Sequence, residues 1–278
     1  MISRRGLVAG GCALAAAPLR VRADPRPLIL TGPMEQGSLV VGFARPCALT
    51  VDGARLRVSE HGIFAFGFAY DQTAPSLIEA RYAGGASERR EAQPRPRQYE
   101  TQSVNGLPER FVAPSPEELA RIEAENARVF EARKRDTPGV GFAEPFDWPI
   151  PGIVSSLYGS RRIDNGKPMA PHLGVDIAAP ENTPIRAPAD GVVSLAEPDF
   201  FLTGGTTLID HGHGVSTAYV HQNELRVKPG DAVRRGDVIG LVGMKGRATG
   251  PHLHWGLNWF QSRLDPSRST TTPAPARA

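Results

Sequence analysis

Three kinds of apolar spacing follow one another along the chain. Residues 24–112 alternate apolar and polar positions in short runs, SLVVGFA (38–44), CALTVDGARLRV (47–58) and GIFAFGFAY (62–70). A period of two marks half-buried strands, and Asp52-Gly53 between two such runs predicts a tight hairpin. The expectation is a small β-rich, sandwich-like accessory domain. A proline- and arginine-rich stretch, REAQPRPRQYE (90–100), reads as a strand edge or linker, because proline cannot donate to a ladder. From Ser115 the spacing becomes helical. In SPEELARIEAENARVFEARKR the residues Leu119, Ile122, Val129 and Phe130 share one stripe. Ser115 and Glu118 can form a capping box, and Pro116 suits the first turn. Thr137-Pro138-Gly139 stops the run, so residues 113–140 are expected to hold a linker helix packed on a neighbour.

Residues 141–266 return to strand-length runs rich in Gly, Val, Ile and Pro. APADGVVSLAE, TTLIDHG, GVSTAYVH and DVIGLVG read as strands, with no long helical period. The fold class expected is mainly β: an antiparallel β-sheet domain with a groove, preceded by the smaller β-rich domain and the helix. The tail at 267–278, SRSTTTPAPARA, is low in complexity and expected to be disordered.

Composition changes this picture little. The 278 residues are 40% hydrophobic and 22% charged, enough for a packed core. The formal charge of +3 hints at a polyanionic partner, but four arginines lie in the first 23 residues beside no acid. The remainder is near neutral and carries no evident nucleic-acid footprint. The opening MISRRGLVAGGCALAAAPLRVRADP has a charged start, a short apolar stretch and a small-residue site after Ala23. It reads as a signal peptide over 1–23, with Ser3-Arg4-Arg5 similar to a twin-arginine signal, and predicts export to the periplasm or cell envelope. No later segment reads as transmembrane. Beyond the signal only Cys47 remains, so no internal disulfide framework is expected.

The candidate chemistry lies in three distant segments. In GPHLHWGLN (250–258), His252 and His254 are two residues apart, so on a strand both project to one face while Leu253 packs on the other. In PHLGVDIAAP, His172 and Asp176 sit four apart at what reads as a turn entering a strand. One carboxylate, one imidazole there and another from 252 or 254 make a three-ligand site with a fourth position open, the pattern of a catalytic rather than a structural zinc. His221 ends the run STAYVH and is free to handle a proton. His61 reads as a turn residue, and His211 and His213 in IDHGHGV as a hairpin tip.

HLGVD, AYVH and HLHWGL together resemble the signatures of the lysostaphin-type (LytM-like) zinc metalloendopeptidases of bacterial cell walls, over roughly residues 145–266. The resemblance implies that His172, Asp176 and His254 bind one zinc ion and that His221 and His252 are catalytic non-ligands. It implies hydrolysis of peptide cross-links in peptidoglycan, whose peptide stems would be the partner. A non-catalytic wall-binding or amidase-activator protein on the same fold is the alternative, although such relatives usually have lost metal ligands. No tyrosine stands just before His172, where some family members carry one. Tyr158 is the nearest in sequence for that oxyanion role. Arg162 and Asn165 are expected to line the groove and touch substrate.

Overall fold

The computed structural model describes residues 28–270 and residue 276. The expected signal peptide lies outside the described residues, as does most of the expected disordered tail. Its first part is ordered: Pro266–Ser269 form a 3-10 turn capped by Asp265, and Thr270 bridges Phe146. Among the described residues no helix is long and apolar enough to cross a membrane.

Seven strands come first: β1 (Ile29–Thr31), β2 (Leu39–Phe43), β3 (Cys47–Val51), β4 (Ala54–Leu56), β5 (Ile63–Gly67), β6 (Ser76–Tyr82) and β7 (Ser87–Ala92). They build two small antiparallel sheets, β1-β2-β5 and β4-β3-β6-β7. The β3–β4 hairpin turns at Asp52 and Gly53, both at positive φ, as the Asp-Gly signal predicts. Phe64 and Phe66 of β5 meet Val40, Leu49 and Ile78 in the core between these sheets. Cys47 borders that core, and burial pushes its thiol pKa up.

β5 is buried on both faces. Its other side, with Ala65 and with Leu39 of β2, belongs to the larger core that holds Trp255 and Leu264. The first module is therefore built onto the second across a shared apolar layer. A buried ion pair, Arg97 to Asp265 at 2.9 Å, and the stacked rings of Tyr70 and Tyr99 beside Tyr158 reinforce the join. β8 (Thr101–Val104), counted on sequence with the first module, pairs instead with a strand of the second.

α1 (Pro116–Arg133) starts at the predicted capping box: the Ser115 hydroxyl accepts from the Glu118 amide, and the Glu118 carboxylate accepts from the Ser115 amide. Such a cap contributes about 1 kcal/mol. The helix packs less of its stripe than expected, with Leu119 and Phe130 exposed and Val129 and Ala132 turned inward.

The second module contains β9 (Ile153–Ser156), β10 (Arg161–Asp164), β11 (Lys167–Pro168), β12 (Val175–Ala178), β13 (Pro184–Arg186), β14 (Gly191–Phe200), β15 (Gly204–Gly212), β16 (Val215–Gln222), β17 (Glu224–Leu225), β18 (Ala232–Val233), β19 (Val238–Leu241), β20 (His252–Trp259) and β21 (Ser262–Leu264). Its main antiparallel sheet runs β18-β14-β15-β16-β20-β12-β9, with β21 paired to β20. β8 joins β10 and β11 in a small flanking sheet, and β13-β19-β17 form another. Alternation along the long strands sorts the two faces. Val193, Ile209, Tyr219, Leu253 and Trp255 fill the core, while Leu208, Ala218, Val220 and His254 share the opposite face. α1 lies on that opposite face, with Val129 and Ala132 against Leu195, Phe200, Leu208 and Ala218.

His211 and His213 flank the β15–β16 turn, as expected, but both are buried rather than solvated. The His211 ring spans the Asp190 carbonyl and the Thr217 hydroxyl at 2.7 and 2.8 Å. Burial lowers its pKa to about 4, outweighing the Asp190 carbonyl and the Asp210 charge. The unfolded chain, at about 6.5, binds this proton first as pH falls, so stability is intact above pH 6.5 and lost progressively toward pH 4. Loss of about 3 kcal/mol over that window is expected from this residue. Thermal melts of the wild type and His211→Gln between pH 7 and 4 check it: the variant's melting temperature is expected to fall less steeply with acidification.

Candidate functional site

The floor of the site is β20, flanked by β12 and β16. Antiparallel register sets Asp176 opposite His254, and Val220 opposite His254 on the other side. His252 and His254 share one face, and Leu253 and Trp255 are buried on the other, as the period of two requires. His172 precedes β12. Its amide donates to the Ser160 carbonyl and its carbonyl accepts from the Gly159 amide, so residues 157–160 hold the ring over Asp176.

Three donor atoms converge. His172 Nε2, Asp176 Oδ1 and His254 Nδ1 stand 2.8–2.9 Å from one another. The His172 Nδ1–H donates to the Leu157 carbonyl at 3.1 Å, which leaves the lone pair on Nε2 facing the other two donors. Burial, above all, drops the His254 pKa to about 4, against the raising effect of the Asp176 hydrogen bond. Burial pushes the Asp176 carboxyl the other way, but the His172 and His254 rings facing it outweigh that and hold it well below the usual carboxylate range. The cluster aims two imidazole nitrogens and a carboxylate oxygen at one point. Two nitrogen donors and one oxygen suit zinc, and no fourth side chain closes the set among the described residues.

The backbone leaves little slack around these donors. A Cβ on Gly174 would lie 2.4 Å from the His254 ring and 2.8 Å from the Trp255 carbonyl, so only glycine lets β12 approach this closely.

His221 reaches the site by a break in pattern. Strict alternation from Tyr219 would send it into the core. Against the two-residue step from Gly205 to Thr207, β16 advances three residues from Tyr219 to Gln222, a bulge with His221 at φ 65°. The His221 ring stands 4.6 Å from that of His252. His221 Nδ1–H donates to the Lys245 carbonyl at 2.7 Å, and His252 Nδ1–H to the Gly250 carbonyl at 2.8 Å. Both Nε2 atoms are thereby left as acceptors, with His252 Nε2 4.0 Å from Asp176 Oδ1. Burial drives the His221 pKa to about 3, assisted by repulsion from His252.

The groove around these residues has a volume of about 500 Å³. Arg162 lies in it, yet its guanidinium donates to Asp176 Oδ2 at 2.8 Å and to the Ser156 hydroxyl at 3.0 Å. It holds the carboxylate instead of standing free for substrate. Arg162→Ala is expected to weaken metal binding about 10–100-fold, the usual cost of losing a group behind a ligand, with Arg162→Lys intermediate. Competition with a chromogenic chelator measures it. Asn165 departs further from expectation. It occupies the β10–β11 turn at φ 47°, and its amide group is spent on the backbone of Leu107. Tyr158 is buried in the core with its hydroxyl donating to the Arg263 carbonyl, so it offers nothing to an oxyanion. His61 is an exposed turn residue away from the site. Sequence reasoning missed Gln102 and Ser156: Gln102 Oε1 accepts from the Ser156 hydroxyl at 2.6 Å, and that hydroxyl meets His172 Nδ1 at 3.1 Å.

An antiparallel sheet carrying two histidines and one aspartate in a groove forms a candidate metal site with a position left open. Residues 170–266 match Peptidase family M23. The crystal structure of a Pseudomonas aeruginosa chain described as a candidate peptidase M23 superposes with a TM-score of 0.65 at 33% identity, covering 84% of this chain and 93% of that one. The chain belongs to peptidase family M23. Among curated relatives, the peptidoglycan DD-endopeptidase ShyA of Vibrio cholerae is 42% identical over 105 residues, 37% of this chain and 24% of ShyA. The DD-carboxypeptidase/endopeptidase Mpg of Neisseria meningitidis is 46% identical over 84 residues, 30% of this chain and 19% of Mpg. The matched region thus spans about a quarter or less of those relatives' lengths.

Proposed function

We propose that this protein is a zinc-dependent endopeptidase that hydrolyses peptide cross-links of peptidoglycan in the cell envelope. The observation that carries the reading is the convergence of His172 Nε2, Asp176 Oδ1 and His254 Nδ1 within 2.9 Å of one another, beside two histidines that are not part of the set. Kinship with ShyA and Mpg supports peptidoglycan as substrate.

His172, Asp176 and His254 would hold the ion. Zinc bound there supplies a Lewis acid that acidifies water to near neutral pKa and polarises a carbonyl. One of His252 and His221 accepts and returns the proton of the attacking water through Nε2 while the other orients that water, each held in the right tautomer by a backbone carbonyl. The proton passes to the leaving amine, so each cut yields one new amine and one new carboxylate. Arg162 keeps the Asp176 carboxylate oriented through its hydrogen bond to Oδ2. Groove walls from β10, β12 and the loop at 247–251 flank the donor set.

Incubation of the full-length protein with purified peptidoglycan tests this. New amine ends are expected with zinc, none after chelation, and recovery on zinc readdition. Absence of new ends under every condition, with stoichiometric zinc bound, overturns it.

A further inference from the structure

Four arginines border the site's face, and they divide into two kinds. Arg162 is neutralised by Asp176 at 2.8 Å, and Arg247 lies 3.5 Å from Asp164. Arg133 and Arg263 have no acid partner among the described residues, and the Nε of each is buried without a hydrogen-bond acceptor. Burying a guanidinium Nε–H with no acceptor is costly unless a ligand completes the site.

Both side chains line one cavity of about 320 Å³ between α1 and the face of the sheet that carries His254. Ile122, Val129 and Phe200 give it an apolar wall. The single carboxylate among its lining residues, Glu125, is already used by Arg121 at 2.7 Å and by the Phe201 amide at 2.8 Å. His254 borders this cavity and the groove alike, and so does Arg263. The cavity therefore adjoins the groove at the donor set.

We infer that this cavity is an anion subsite of the groove, in which Arg133 and Arg263 together take a free carboxylate of the peptide being cut. The inference rests on the peptidase reading for the identity of the ligand. Two guanidinium forks against an apolar wall match a planar carboxylate, and the wall keeps water from competing. α1 thereby acts as the wall of a specificity pocket.

The test uses the full chain and two probes: a cross-linked muropeptide with free carboxyls and the same compound with its carboxyls amidated. Binding is measured by calorimetry on metal-free protein, and KM and kcat on the zinc-loaded form. Wild type is expected to bind the free acid at least about 10-fold more tightly, the worth of a charged hydrogen-bond pair. Arg133→Gln should erase that preference while leaving zinc content and affinity for the amide unchanged, and Arg133→Lys should restore part of it. Arg133 sits on the outer helix, so its variant reports even if Arg263→Met fails to fold. Equal binding of both probes by wild type, no binding of either, or a preference that survives Arg133→Gln overturns the subsite. Preferential binding without any cleavage preserves the subsite and removes the hydrolase reading instead.

Discussion

Asp176→Ala is expected to leave the protein folded, without bound zinc, and with activity lowered more than about 1,000-fold. The reason lies in what surrounds the carboxylate. Oδ1 meets His172 and His254 at 2.9 and 2.8 Å, while Oδ2 takes the Arg162 guanidinium at 2.8 Å. Removing it deletes a donor and also strips the negative charge that faces both histidines, while the Arg162 guanidinium stays in place. The remaining positive field repels a cation. Asp176→Asn separates the two effects, since it keeps an oxygen at the position and loses the charge. Elemental analysis after dialysis, with circular dichroism as the fold control, decides. Stoichiometric zinc in Asp176→Ala would break the proposed donor set.

His252→Ala and His221→Ala are expected to retain zinc yet lose about 100- to 10,000-fold in kcat, the range typical of losing a positioned acid–base group. Zinc retention follows because neither ring enters the triangle of donors. The pH profile adds a second check. With the His221 pKa near 3 because of burial, its imidazole is neutral throughout the range from 5 to 8. The acid limb of kcat/KM in that range is therefore expected to persist in His221→Ala. Disappearance of that limb in this variant would show that the ring titrates near neutrality and would refute the assigned environment.

Much of the fold is legible in the chain because local spacing decides it. The hairpin at Asp52-Gly53, the capping box at Ser115 and Glu118, and the alternation through His252, Leu253, His254 and Trp255 all follow rules that act over a few residues. Asp176 and His254 meet because two strand registers coincide, which spacing alone does not fix. His221 shows the limit more sharply. Its alternation points to the core, and only the bulge with its left-handed residue turns the ring into the groove. Gln102 reaches the site through a strand pairing between Thr101–Val104 and Arg161–Asp164, about 60 residues apart, for which no local pattern gives a sign. Arg162 lies in the groove but is spent on Asp176, and Asn165 is spent on Leu107, pairings that depend on the tertiary arrangement.

The double burial of β5 limits how the groove can be opened or shut. A cap hinged on a linker swings away at small cost, whereas lifting this module would tear Leu39 and Ala65 out of the same oily layer as Trp255. Regulation of access by wholesale departure of the N-terminal half is thereby made expensive. Access to the groove is then left to its rim, where Val104 and Leu107 line the opening.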